Sequence, residues 1–152
     1  MSDVTFVMLK PDAVERNLVY TVMSYFEKAG IYAKCFDLQK VEPERIKQHY
    51  AEHIAKFGPD FERKTLEMFE NKYVVPIVLA GSGDVIARVR QIVGATEPLK
   101  AAKGTIRGDM GLDDSYAKST AENRLVSNLI HASDCIEAVR REAGIWLPDY
   151  SL

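Results

Sequence analysis

Two short apolar runs limit what this chain can fold into. TFVMLK (5–10) is mostly apolar and is stopped by Pro11, so it reads as a buried strand. YVVPIVLAG (73–81) reads as a second buried strand, with Pro76 marking an edge or a bulge. Helical spacing fills the ground between them. Val19, Val22, Met23 and Phe26 predict one helix, closed by Gly30. IYAKCFDLQKV (31–41) is β-prone and partly alternating. Pro43 then opens a helix that Ile46, Tyr50 and Ile54 continue. Gly58-Pro59 breaks it, and Asp60 is placed to cap a further helix bearing Phe61, Leu66 and Phe69.

Beyond the second run, Ser82 or Asp84 caps a helix with Val85, Ile86, Val89, Ile92 and Val93 on one face, closed by Gly94. Residues 94–127 lack apolar periodicity and are rich in Gly, Thr, Asp and Ser. A connection of that length inside a compact domain is usually functional. LIH (129–131) is a short strand, and Asp134 with Glu137 reads as the capping box of a last helix that Gly144 ends. The resulting order is β-α-β-α-α-β-α-loop-β-α. It fits an α+β, ferredoxin-like βαββαβ fold: a four-stranded antiparallel sheet, helices on one face, and additional helices. One domain over residues 1–152 accommodates all of it, with an extended loop about 108–127.

Composition narrows the function classes. At 47% hydrophobic and 28% charged residues the chain is expected to be globular, and a net charge of −2 gives no general affinity for nucleic acid or anionic membrane. Cys35 and Cys135 are far apart and in no metal-like spacing, which points to reduced thiols and the cytoplasm. Charged residues break up the N-terminal stretch, and no run is long enough to span a bilayer.

The chemistry concentrates around NLIHASDC (128–135). A lone histidine in an apolar context is more often a hydrogen-bonded core residue than a catalyst. His131, however, lies at a strand–helix junction, and Glu142 follows eleven positions on, in a helix that returns toward the strand end. A carboxylate there accepts a proton from one imidazole nitrogen, fixes the tautomer and frees the other nitrogen as a nucleophile. Ser133 is placed to orient the carboxylate or to cap the helix. Arg90, Thr96 and Arg107 lie among Gly94, Gly104 and Gly108 in the preceding segment. Guanidinium forks match phosphate oxygens, and glycine admits close backbone approach. With Lys10 as a further cation, these residues fit phosphoryl transfer, where the work is positioning and charge neutralisation. His49 and His53, four apart, read as a solvated helix face rather than a metal clip, and GSGD (81–84) as a helix entry.

The blocks TFVMLKPDAV (5–14), KQHY (47–50), GATEP (94–98), GTIRGD (104–109), NLIHASD (128–134) and EAGIW (142–146), in this order, resemble the nucleoside diphosphate kinase family. The resemblance implies that His131 takes the γ-phosphate of a nucleoside triphosphate as phosphohistidine and passes it to a nucleoside diphosphate in a ping-pong cycle. Glu142 matches the histidine-orienting glutamate. Lys10, Arg90, Thr96 and Arg107 match phosphate ligands, Asn128 and Lys10 match contacts to the sugar hydroxyls, and Tyr50 matches the tyrosine near the histidine. Mg²⁺ is expected to arrive on the nucleotide phosphates, with no protein metal site. Phe61 matches a phenylalanine on which any base stacks, whereas Thr65 stands where the family has an apolar residue. The stretch from Arg107 to Asn128 is longer than in most relatives by roughly ten residues, and the stretch from Tyr50 to Phe61 is slightly longer. The family also implies a homo-oligomer, a hexamer or tetramer built from dimers, with no membrane and no nucleic acid required. Two other readings compete: a nucleotide-binding regulatory module without turnover, and a phosphohistidine relay. The first needs the cations but not an oriented histidine; the second has no use for Phe61 or Asn128.

Overall fold

A computed structural model describes residues 2–152. Strand β1 (Val4–Leu9) is followed by a short helix α1 (Pro11–Glu15) and by α2 (Val19–Lys28). Strands β2 (Tyr32–Phe36) and β3 (Gln39–Lys40) come next, then helices α3 (Pro43–His49), α4 (Ala51–Phe57) and α5 (Pro59–Phe69). Strand β4 (Tyr73–Ala80) leads to α6 (Val85–Val93). A 3₁₀ turn (Pro98–Lys100), α7 (Ile106–Met110) and α8 (Tyr116–Ala121) precede β5 (Ile130–Ala132) and α9 (Ile136–Trp146). The strands pair antiparallel in the order β2-β4-β1-β5, with β3 continuing along β4. This is the expected α+β, ferredoxin-like sheet.

Helices cover both faces of that sheet, not one. Residues of β1 alternate, as strand geometry requires. Val7 and Leu9 pack with Val22, Phe26, Val85 and Val89 of α2 and α6. Phe6 and Met8 pack with Ile46, Phe69, Val139 and Trp146 of α3, α5 and α9. An all-apolar run such as 5–9 is what a strand with two buried faces needs.

Pro76 lies in an interior strand, and the register irregularity falls on β2, between Ala33 and Cys35. The carbonyl of Pro76 accepts from Asp37 N at 3.3 Å, so its missing N–H faces that same side of β4. There β2 has ended opposite Ile77 and β3 begins only opposite Val74. The proline therefore removes no ladder bond, and it accounts for the split of 31–41 into two strands.

Four helix boundaries differ from the sequence expectation. The helix after Pro43 divides at Tyr50, and Gly58 rather than Asp60 is the N-cap of α5, with Asp60 inside its first turn. Cys135 is the N-cap of α9 and no side chain caps it, so the Asp134–Glu137 capping box does not form. Helix α9 also runs through Gly144 to Trp146, because burying an indole outweighs the ~1 kcal/mol that glycine costs a helix. Finally, the segment read as a long loop holds α7 and α8. Their caps were legible: Thr105 accepts from Gly108 N at 3.0 Å and Ser115 from Lys118 N at 3.1 Å. Helices this short carry no apolar stripe.

Candidate active site

His131 is the middle residue of β5, opposite Met8 of β1. Its Nε2 is in close contact with Oε2 of Glu142, one turn and a half into α9. The residue before β5, Leu129, lies in the left-handed region, at φ 71°. A non-glycine residue stays there only when its surroundings hold it. Leu129 N donates to Asp12 Oδ2 at 3.1 Å, and its carbonyl accepts from Lys10 N at 2.8 Å. The Lys10-Pro11-Asp12 stretch thus fixes the backbone that delivers His131.

Two neutral histidines share one buried carboxylate. Trp146 Nε1 donates to His49 Nδ1 at 3.0 Å, so the His49 proton sits on Nε2, which faces Glu142 Oε2 at 3.9 Å. Burial is the main force holding both imidazoles well below their ordinary pKa. For His131, Lys10, Arg107, Arg141 and Arg90 push the same way. Burial raises Glu142, and His49, Arg141 and Ser133 partly oppose it. Ser133 Oγ is fully buried and makes no hydrogen bond of standard geometry, yet it lies close enough to favour the charged carboxyl. With the His131 proton on Nε2, facing Glu142, Nδ1 keeps its lone pair and has no hydrogen-bond partner among the described residues.

His49, His131 and Glu142 place ligand atoms within 4.8 Å of one another. They do not fit a resident metal ion. Nε2 of His49 carries the proton that its bond to Trp146 dictates, and Nε2 of His131 is engaged with Glu142. His49 is also where sequence reasoning was overturned. It is buried, at 3% exposure, while His53 is exposed. A helix break at Tyr50, which the pattern hid, turns the two histidines apart.

The cations converge on one corner. Lys10 is buried at the end of β1 and donates from Nζ to Asn128 Oδ1 at 2.8 Å. Burial pushes its ammonium down to about 8, with Arg107 adding and Asp12 opposing. Asn128 Nδ2 donates to the Thr96 carbonyl at 2.9 Å. Arg107 donates from Nε to Asn128 O at 3.1 Å, from Nη1 to Gly94 O at 3.2 Å, and from Nη2 to Ile130 O. Burial lowers Arg107 to about 10, which leaves it charged at neutral pH. Arg90 projects from α6 and reaches Ala132 O at 3.2 Å from Nη1. Thr96 and Arg90 are exposed residues.

The aromatic residues continue outward from His131. Its ring centroid lies 6.4 Å from that of Tyr50, and Tyr50 lies 6.2 Å from Phe61. Burial is the largest cause that holds the Tyr50 hydroxyl protonated, raised beyond its ordinary range. Phe61 stands at the first turn of α5, half-buried, with His53 stacked on it at 6.0 Å and Phe57 at 5.5 Å. Thr65 is fully buried and its hydroxyl donates back to Phe61 O at 2.8 Å, so its polar group is satisfied within α5.

Direct contacts, with one another or with the backbone of β5, link His131, Glu142, Ser133, Lys10, Asn128, Thr96, Arg107, Arg90, Tyr50 and Phe61 into one network. Sequence reasoning missed His49, Trp146 and Asp12 as parts of it.

Comparison with known proteins gives the family. The family model described as nucleoside diphosphate kinase matches residues 3–152. A nucleoside diphosphate kinase of Nocardia farcinica is 38% identical over 99% of this chain and 98% of its own length. One from Saccharomyces cerevisiae is 37% identical over 93% of this chain and 83% of its own. Among solved structures, the Borrelia burgdorferi nucleoside-diphosphate kinase, a transition-state mimic with bound vanadate and ADP, superposes with a TM-score of 0.87. It is 32% identical and covers 94% of this chain and 85% of its own. The Halobacterium salinarum enzyme in complex with CDP gives 0.79 at 34% identity, over 96% and 88% of the two chains. Matched along its whole length, the chain belongs to the nucleoside diphosphate kinase family: it is a phosphotransferase that moves the γ-phosphate of a nucleoside triphosphate to a nucleoside diphosphate, and it requires a divalent metal to do so.

Proposed function

We propose that Nδ1 of His131 is the atom that carries the phosphoryl group. The observation that supports this most is the neutral, oriented imidazole: Glu142 holds Nε2, and Nδ1 is left with an unengaged lone pair. In the first half-reaction Nδ1 attacks the γ-phosphorus, the N–P bond forms, and the bond to the β,γ-bridging oxygen breaks. The nucleoside diphosphate leaves with that electron pair. The positive charge that develops on the ring is shared through Nε2–H with the Glu142 carboxylate, which Ser133 steadies. A second nucleoside diphosphate reverses the steps.

Lys10, Arg90, Arg107 and the Thr96 hydroxyl surround the transferring group and neutralise its charge. They are held before the substrate arrives, so little reorganisation accompanies transfer. The Tyr50 hydroxyl, kept protonated, is a further donor beside His131. Asn128 and Lys10 meet the sugar hydroxyls, and Phe61 stacks on the base, which accommodates every base because each has a π-face. Mg²⁺ enters bound to the nucleotide phosphates; the site's own groups near the phosphates are cationic and offer it no cage. The ADP and vanadate of the Borrelia burgdorferi relative support a cleft filled from base to phosphate in this way.

Residues 1–152 form one domain in this reading, and it assembles as a homo-oligomer, a hexamer or tetramer built from dimers. Strand β2 supports that: it is an unpaired edge of the sheet, with Tyr32, Phe36 and the following Leu38 each more than half exposed. Light scattering at micromolar concentration tests it, and a monomer overturns it. Cys35 and Cys135 are both free thiols, which supports a cytoplasmic location.

The test of the nucleophile is the intact mass of the protein at mildly alkaline pH after mixing with Mg²⁺ and ATP. One added phosphoryl group is expected, lost when GDP is added and GTP forms, and absent in His131→Ala. ATP binding without any added phosphate sinks the assignment.

A further inference from the structure

The segment from Gly111 to Ser127 lies between Arg107 and Asn128 and is tied to both sides of the proposed site. Leu112 and Asp113 both adopt left-handed backbone, at φ 53° and 54°. Two such residues in succession are unfavourable without glycine. They turn the chain so that Asp114 points inward, where it is 4% exposed. Its carboxylate is fully engaged. Arg124 donates to it through both terminal nitrogens, Nη1 to Oδ2 at 2.7 Å and Nη2 to Oδ1 at 2.9 Å. Ser127 N donates to Oδ2 at 2.7 Å. The backbone carbonyl of Asp114 accepts from Leu99 N at 3.0 Å. These partners hold the carboxyl down at about 2.

The two backbone partners belong to the two walls of the cleft. Ser127 precedes Asn128, whose amide joins Lys10 to the Thr96 carbonyl. Leu99 lies in the 3₁₀ turn that follows Thr96. Asp114 thus grips the segment that bears Thr96 with its main chain and the segment that bears Asn128 with its side chain. Without it, the bond from Asn128 to the Thr96 carbonyl would hold those walls together with one fewer tie on each side. Bidentate, charge-assisted contacts of this kind define geometry as well as adding energy.

We infer that Asp114 is a positioning residue for phosphoryl transfer, setting Asn128 and the Thr96 segment against the nucleotide. The inference rests on the proposed contacts of Asn128 and Thr96 with the substrate. Its consequence is that the long connection before β5 serves the cleft rather than only joining α7 to β5.

A double-mutant cycle tests it. Asp114→Asn replaces one acceptor oxygen with a donor that faces the Arg124 or Ser127 N–H groups. The kcat/KM for transfer from ATP to GDP is measured in wild type, Asp114→Asn, Asn128→Ala and the double variant, well below each variant's Tm. Asp114→Asn is expected to lower kcat/KM about tenfold, mainly by raising KM, and by less than about twofold once Asn128 is already Ala. Equal losses in both backgrounds, or no loss in either, would overturn the inference, because a fold weakened in general loses activity whether or not Asn128 is present. If Asp114→Asn does not fold, Arg124→Gln enters the same cycle with the same expectation and the same overturning result. Failure of the wild type itself to transfer phosphate would count against the proposed contacts and not against Asp114.

Discussion

The proposed phosphate end and the proposed base end of the site are built differently. At the phosphate end, Lys10, Arg107, Asn128 and Glu142 are each less than a tenth exposed, and they are cross-linked by hydrogen bonds to one another, to the His131 side chain or to the backbone of β5. At the base end, Phe61 is half-buried on the α4–α5 hairpin, with exposed His53 and Phe57 against it. Charge developing during transfer rewards fixed dipoles and cations, because they need not reorganise. Four different bases reward a flat, undemanding surface. The difference shows where this enzyme is expected to be intolerant of change and where it bends.

The sharpest way to break the comparison is His131→Ala, expected to abolish phosphoenzyme and to cut kcat/KM by about 10³-fold or more, read by intact mass and by coupled assay. Glu142→Gln follows, with a loss of about 10²-fold in kcat, because the ring loses its orientation and the carboxylate that shares its charge. Unchanged kcat in that variant would mean that His131 needs no partner.

Acid sensitivity belongs to the same end. His49 and His131 are held neutral below the pKa of an unfolded histidine, so below pH ~6.5 the unfolded chain binds more protons than the folded one. Stability present above that value is therefore lost as pH falls toward the folded pKa values. Raised Glu142 opposes this in part, since the folded carboxyl takes up a proton before an unfolded one does. The net loss from pH 7 to pH 5 is expected to be about 2 kcal/mol by urea unfolding. His131→Gln should flatten the profile, and an equally steep profile in that variant would assign the sensitivity elsewhere.

Effects at the base end should be smaller and even-handed. Phe61→Ala is expected to weaken binding of adenine, guanine, cytosine and uracil nucleotides alike, by about tenfold, measured by calorimetry. A loss confined to purines would show that Phe61 discriminates. His53→Ala, which removes only the ring stacked behind Phe61, should change affinity about twofold.

Much of this was legible in the chain itself. The two apolar runs identified the central strands β1 and β4, since only a strand buried on both faces reads as continuous apolar sequence. The junction at 128–134 and the returning Glu142 pointed to the contact between His131 and Glu142, because a strand–turn–helix has few ways to close. His49 was hidden for a definite reason: a continuous helix through Tyr50 would put it on one face with His53, and the break between α3 and α4 has no proline or glycine to announce it. Helices α7 and α8 were hidden because five or six residues show no periodicity, although their Thr and Ser caps were present. The capping box at Asp134 failed because the helix starts one residue later than the pattern implied.

By itself, then, the sequence determined the central strands and the longer helices, the antiparallel α+β class and the family; these depend on local patterns of apolarity and on residue chemistry in a given order. Tertiary structure alone decided which imidazole nitrogen of His131 is engaged, that His49 and Trp146 stand behind Glu142, that Arg107 clamps the backbone of β5, and that Asp114 reaches Ser127 and Leu99 at once. Those are contacts between segments far apart in the chain, and they exist only where packing on the two faces of one sheet brings the segments together.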